Sequence, residues 1–120
     1  MTMETRKILK SGEFLVSEVE PKDIFIPEEF NEEQKMIAQT CRDFLEAEVY
    51  PNLEAVEMGD RELMKSILKK SGELGLMGIS VPEEYGGFGQ SFVTQMLVAE
   101  TTGAGYSFSV AYMAHCGIGT

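Results

Sequence analysis

A glycine-rich stretch, "GLMGISVPEEYGGFGQS" at residues 75–91, has the composition of a ligand-binding loop. Glycines let backbone N–H groups approach a phosphate closely, but a phosphate loop also needs a lysine after its second glycine. A dinucleotide loop needs Gly-x-Gly-x-x-Gly directly after a strand. This stretch has no lysine and a different spacing, and Glu83 and Glu84 would repel an anion at short range. We therefore interpret it as a connector between helices.

His115 and Cys116 form a second pair of side chains with chemical potential. Neighbours on a helix point about 100° apart, so they do not readily bind one metal ion, and no second pair completes a tetrahedral site. We predict a buried thiol beside a hydrogen-bonded imidazole. Glu100 stands alone in an apolar segment, and we predict an exposed or helix-paired carboxylate rather than a catalytic base.

Composition sets limits on function. The 120 residues are enough for one domain, and the net charge of −10 argues against nucleic acid as a partner. No segment approaches the roughly 18 unbroken apolar residues of a membrane span. Two cysteines make a poor disulfide framework, and we see no secretory signal. We therefore expect reduced thiols and a cytoplasmic location.

The hydrophobic periodicity predicts an all-α fold, a bundle of about four main helices. An extended arm, or a short strand around Phe14 and Val16, should precede the bundle over residues 1–30. The N-cap residues Asn31, Asp60 and Ser91 should open the first three helices. A final helix should start near Ser107.

Two features of the second half lead to further predictions. Tyr85 and Phe88 should fix the glycine-rich connector by being buried. The last helix, "SFSVAYMAHCGIG", is apolar on all sides, which is typical of a helix packed all round. The pattern also predicts that this helix is truncated at Thr120.

Several segments resemble one family, the acyl-CoA dehydrogenases. "GLMGISVPEEYGGFGQS", preceded by "SGELG", resembles the signature of their N-terminal domain. "FNEEQKMIAQTCRDFLEAEVYP" is similar to the first long helix of that domain, and "MLVAETTGAGYSFSVAYMAHCGIGT" to its following helix pair. The leading "SGEFLVSEVEPKDIFIPEEF" is similar to the arm of the very-long-chain-like branch. The resemblance thus divides the chain into an arm, residues 1–30, and an N-terminal helical domain, residues 31–120.

The resemblance implies an FAD-dependent dehydrogenation of acyl-CoA thioesters. In the family, a glutamate removes the α-proton while the flavin accepts a hydride from the β-carbon, and an electron-transferring flavoprotein then takes the electrons. The base usually lies in the C-terminal bundle, which nothing here matches, so no residue of this chain is predicted to be catalytic. FAD would lie mainly outside the chain, which alone should be inactive. A homo-oligomer is the expected assembly.

The family's first domain supplies one wall of the acyl pocket, from the part of the last helix that here runs from Val110 to Thr120. Position by position, the resemblance places four residues on that wall: Val110, Ala111, Ala114 and Ile118. Their spacing makes one helical face. The two alanines would leave room for a long acyl chain. The alternative interpretation is that all four are ordinary core residues, small because a neighbouring helix packs closely.

A different class of function also fits the sequence. The chain could be a stand-alone helical domain that binds a partner, or an acyl-CoA, without turnover. An uncapped apolar helix end would expose surface that monomers usually bury. We therefore expect residues 107–120 to be buried by dimerisation or swapping if the chain folds alone.

Overall fold

The computed structural model describes residue 7 and residues 9–119. The start of the predicted arm and Thr120 lie outside the described residues. The chain divides into two compact units, one ending at Asn31 and the other beginning at Glu32. All regular structure in the described residues is helical, which confirms the predicted all-α fold.

The first unit contains a one-turn helix, α1 (Glu13–Val16), and two 3-10 turns, Pro21–Asp23 and Pro27–Glu29. Phe14 and Val16 therefore lie in a helical turn and not in the short strand that the sequence allowed. Local polar contacts explain the difference, because the Glu13 side chain accepts a hydrogen bond from the backbone N–H of Lys10 at 3.1 Å.

The first long helix of the second unit is α2 (Glu32–Phe44), which begins directly after Asn31 as predicted. It continues into a π-helical turn, Leu45–Val49, and a 3-10 turn, Tyr50–Asn52. The helix widens just before Pro51, whose ring would otherwise collide with the carbonyl four residues earlier. A short helix, α3 (Leu53–Glu57), follows.

Helix α4 (Arg61–Glu73) begins at the predicted N-cap, since Asp60 accepts a hydrogen bond from the Leu63 N–H at 2.9 Å. Helix α5 (Phe92–Thr102) begins in the same way at Ser91, which accepts from the Thr94 N–H at 3.3 Å. Helix α6 (Ser107–Met113) continues into a second π-helical turn, Ala114–Ile118. The four main helices α2, α4, α5 and α6 confirm the predicted bundle.

The core lies between these helices. Its centre is a row of aromatic rings: Phe44 of α2 lies 5.7 Å from Phe108 of α6, and Phe108 lies 5.8 Å from Tyr112, centroid to centroid. The buried hydrophobic cluster comprises Cys41, Phe44, Leu45, Val49, Val56, Ile67, Leu76, Ile79, Val98, Phe108 and Tyr112. Helix α2 contributes Cys41 and Phe44 to this cluster, and α4 contributes Ile67.

The glycine-rich stretch is a connector, held closed by its own backbone. The N–H groups of residues 88, 89 and 90 donate to the carbonyls of residues 78, 81 and 79, at 2.9, 2.8 and 2.9 Å. The prediction that buried aromatic rings fix the turn is wrong, because Tyr85 is 77% exposed and Phe88 is 53% exposed. Backbone pairing makes their burial unnecessary.

The last helix differs from its prediction as well. Phe108 and Tyr112 are buried, but Val110 is 72% exposed and Ile118 is 90% exposed. The helix is therefore packed on one side and open on the other. Apolar composition on all sides did not predict burial, because only one row of side chains meets the bundle.

Gly87 supplies a direct test of the connector. A Cβ atom added at Gly87 would lie 2.0 Å from the Val81 carbonyl oxygen, so the paired backbone would have to shift. We expect Gly87→Ala to lower the free energy of unfolding by about 1–3 kcal/mol, the usual effect of overpacking. Urea unfolding followed by circular dichroism measures the difference.

Gly103→Ala is the matched control. Nothing lies within 4 Å of a Cβ added at Gly103, and its φ of −54° suits any residue. Its unfolding free energy should stay within about 0.5 kcal/mol of the wild type. Equal stability of the two variants would contradict the close approach at Gly87.

Candidate functional site

The exposed side of the last helix contains the residues predicted to form a binding wall. Val110, Ala114 and Ile118 are exposed, and Ala111 is half-buried. Val110 and Ala114 are one helical turn apart, and Ala114 and Ile118 bound the π-helical turn. The structure thus offers an apolar surface along one side of the helix. Three of the four residues are not core residues, which disfavours the alternative interpretation for them.

The other side of the same helix lines a groove of about 620 Å³. The connector and α5 form its remaining walls. None of the four predicted wall residues lines this groove, so the last helix separates two distinct apolar surfaces. The lining residues are Ile79, Ser80, Val81, Pro82, Tyr85, Phe92, Gln95, Met96, Val98, Tyr112, Met113, Cys116 and Gly117.

Sequence reasoning did not predict the groove. Met96 and Met113, whose flexible side chains suit an adaptable apolar surface, both line the groove. Phe92, which is 69% exposed, was not singled out. The groove could not be predicted because its shape depends on the path of the connector. Backbone hydrogen bonds set that path, and the pattern of hydrophobic side chains does not reveal them.

Tyr112 fixes the position of the last helix. Its hydroxyl donates to the Leu76 carbonyl oxygen at 2.6 Å, which joins α6 to the segment after α4. Burial raises the pKa of Tyr112 far above its ordinary value, so the hydroxyl keeps its proton and its role as a donor. This hydrogen bond fixes Tyr112 in the wall of the groove. Because it also fixes the rotation of the helix, it determines which side chains lie on the exposed apolar side.

The two thiols are not activated. Burial raises the pKa of Cys41 to about 11, and burial also raises the pKa of Cys116, so both remain protonated at neutral pH. The Cys116 thiol is half-buried and lies 3.9 Å from the Met77 carbonyl oxygen, while His115 is exposed. Within the part of the chain that the structure describes, no cluster of three potential ligands could hold a metal ion.

Two further findings concern the predicted limits on function. Glu100 is exposed, as predicted. No helix in residues 9–119 is long and apolar enough to cross a membrane.

Comparison with known proteins assigns the class. The family model for the acyl-CoA dehydrogenase N-terminal domain matches residues 31–120. The chain therefore belongs to the acyl-CoA dehydrogenase family, in which it corresponds to the N-terminal domain.

Individual relatives agree with this assignment. A probable acyl-CoA dehydrogenase of Bacillus subtilis is 41% identical over all 120 residues, which are 20% of that protein. A mitochondrial short-chain specific acyl-CoA dehydrogenase of Bos taurus is 39% identical over 64% of this chain and 18% of its own length. The crystal structure of an acyl-CoA dehydrogenase from Bacillus anthracis, complexed with FAD, superposes with a TM-score of 0.84 at 45% identity, over 89% of this chain and 18% of that one. The chain thus spans about a fifth of these relatives.

Tyr112 provides a test of how the last helix is held. Tyr112→Phe would leave the Leu76 carbonyl without its donor, and we expect the free energy of unfolding to fall by about 1–3 kcal/mol. Tyr85→Phe is the control, because Tyr85 is 77% exposed and its hydroxyl should matter little. Urea unfolding measures both variants. A loss of stability no larger for Tyr112→Phe than for Tyr85→Phe would show that the hydrogen bond does not hold the helix.

Proposed function

We propose that this chain is the N-terminal helical domain of an FAD-dependent acyl-CoA dehydrogenase, where it forms one wall of the acyl pocket. In this proposal residues 1–30 are an arm and residues 31–120 are the domain. The observation that carries the proposal is the exposed apolar side of the last helix, in a chain that matches the family from residue 31 onward. The chain supplies the wall and no catalytic residue.

The proposed wall suits an acyl chain in size and polarity. Val110, Ala111, Ala114 and Ile118 offer no hydrogen-bonding side-chain group, so an alkyl chain could replace water there without leaving a polar side chain unsatisfied. Along the chain the two alanines lie between two larger residues, Val110 and Ile118, and their small side chains would leave room for an alkyl chain. Proton abstraction next to a thioester is favoured in a site from which water is excluded, and an apolar wall contributes to that exclusion.

The groove by itself does not fit FAD. None of the residues that line the groove is cationic, and a dinucleotide's diphosphate would need positive charge or aligned N–H donors there. FAD as the cofactor of the whole protein is proposed from the flavin-containing Bacillus anthracis relative. It would accept the hydride from the substrate, held mainly by parts of the protein outside this chain.

The size of the whole protein can be proposed from its relatives. The 120 aligned residues make up 20% of the Bacillus subtilis relative, which is therefore about 600 residues long. The Bos taurus enzyme is shorter, because 77 aligned residues make up 18% of it, which gives about 430 residues. The match over the entire chain, arm included, is to the longer protein. We therefore propose a parent of the longer type.

Finer assignments remain predictions. The Bos taurus relative is a short-chain enzyme, and the very-long-chain-like branch expected from the arm has no support from the comparisons. Acyl-CoA as substrate follows from the proposed function. An electron-transferring flavoprotein as acceptor, a homo-oligomer and a cytoplasmic location stay predictions.

Ala114 tests the proposed wall. In the full-length protein, Ala114→Leu would place a larger side chain on the proposed wall and obstruct long acyl chains. We expect kcat/KM for long-chain acyl-CoA to fall by roughly tenfold or more relative to short-chain acyl-CoA, the discrimination that a hydrophobic pocket gives for one methylene. Steady-state kinetics over a series of acyl-CoA lengths measures the shift.

The matched control is Gly117→Leu, which adds a similar side chain on the groove side of the same helix, where nothing lies within 4 Å of an added Cβ. It should leave the chain-length preference unchanged. A shift in Gly117→Leu but not in Ala114→Leu would place the acyl chain in the groove. A wild-type protein that binds acyl-CoA without oxidising it would support a binding domain without turnover instead.

A further inference from the structure

The last helix begins at a strained turn that cannot cap itself. Tyr106 is its N-cap residue, with φ of 51° and ψ of −123°, and is the only non-glycine residue with positive φ in the described chain. Tyrosine has no short side-chain acceptor for the first N–H groups of a helix, and the Tyr106 side chain makes no cap hydrogen bond. The Tyr106 carbonyl accepts from the Val110 N–H at 3.3 Å, so the first helical hydrogen bond leads directly into the proposed wall.

Glu57 supplies the cap from a distant part of the chain. One of its carboxylate oxygens accepts from the Ser107 backbone N–H at 2.9 Å, and the other accepts from the Ser107 hydroxyl, also at 2.9 Å. Glu57 is the last residue of α3, fifty residues earlier. A carboxylate is the favoured group at this position, because it meets free N–H groups and the positive end of the helix dipole.

The rest of the turn leaves little freedom around this contact. A Cβ added at Gly105 would lie 2.9 Å from the Ser109 Oγ and 3.1 Å from the Leu45 side chain, so the turn packs directly on the bundle. The Ser109 hydroxyl donates to the Thr102 carbonyl. The turn is thus fixed on its inner side by packing and on its outer side by Glu57.

We propose that Glu57 is a positioning residue for substrate selection. By accepting both hydrogen bonds from Ser107, a contact that we call the clasp, it fixes the N-terminal turn of α6 and thereby the position of the proposed acyl wall. Val110 and Ala111 follow Ser107 within about one turn, so a shift of that turn moves them directly. The proposal rests on the proposed function in assigning the wall to the acyl chain. The clasp itself is independent of that function.

The test compares Glu57→Ala and Glu57→Gln with Glu54→Ala in the full-length protein. Glu54 also lies on α3 and is exposed, but both Ser107 hydrogen bonds go to Glu57, which makes Glu54 the matched control. Glu57→Gln keeps one acceptor oxygen for the Ser107 N–H and should behave almost as the wild type. Two measurements are made: hydrogen exchange of peptides spanning residues 104–112, and kcat/KM over a series of acyl-CoA lengths.

We expect Glu57→Ala to speed exchange in this segment about fivefold, the effect of losing one helix cap. We also expect the ratio of kcat/KM for long and short acyl-CoA to change by several-fold, while Glu54→Ala changes neither the exchange rate nor this ratio. A residue that merely stabilised the fold would lower activity equally at all chain lengths.

Two results would overturn the proposal. Exchange in Glu57→Ala that matches the wild type would refute the clasp, and faster exchange with an unchanged length preference would refute its role in selection. If the wild-type protein oxidises no acyl-CoA, the proposed function fails. The hydrogen-exchange measurement then still decides whether Glu57 fixes the turn at Ser107. The proposed role of Glu57 in substrate selection would fail together with the proposed function.

Discussion

The second unit depends on the packing of the last helix against the first long one. Phe108 of the last helix lies 5.7 Å from Phe44 of the first long helix, centroid to centroid, and Tyr112 lies 5.8 Å from Phe108 in the same row. Tyr112 adds a buried hydrogen bond to the Leu76 carbonyl. Large rings bury much apolar area, and the hydroxyl bond fixes which way the helix is rotated. Every surface that the helix offers follows from this rotation.

Two rows of side chains on this helix are nearly opposite each other. Phe108, Tyr112 and Cys116 share one row, while Val110, Ala114 and Ile118 share another, about 200° away in an α-helix. The first row meets the core or the groove. The second row is left exposed. One helix therefore serves both as a structural element of the bundle and as the surface that we propose to face an acyl chain.

The ends of the helices are set by polar groups of two kinds. Asp60 and Ser91 cap helices that start one residue later, and such local caps can be read from sequence. The last helix is capped instead by Glu57, fifty residues away. The connector is comparable, since it closes through backbone hydrogen bonds between its two ends. The Glu57 cap and the connector's backbone hydrogen bonds depend on how the chain folds back on itself. Local sequence composition therefore does not predict them.

The sequence by itself determined the all-α fold, the N-caps at Asp60 and Ser91, the connector and the family, because periodicity, capping residues and a specific turn motif are local properties. It also placed the four proposed wall residues, through resemblance. Only the tertiary structure decided that the last helix is open on one side, that Tyr85 is exposed, and that a groove lies behind the helix. The physical reason is that both rows of side chains on the last helix are apolar, so hydrophobicity alone did not predict which row is buried in the bundle. The fit of Phe108 and Tyr112 against the bundle made that choice.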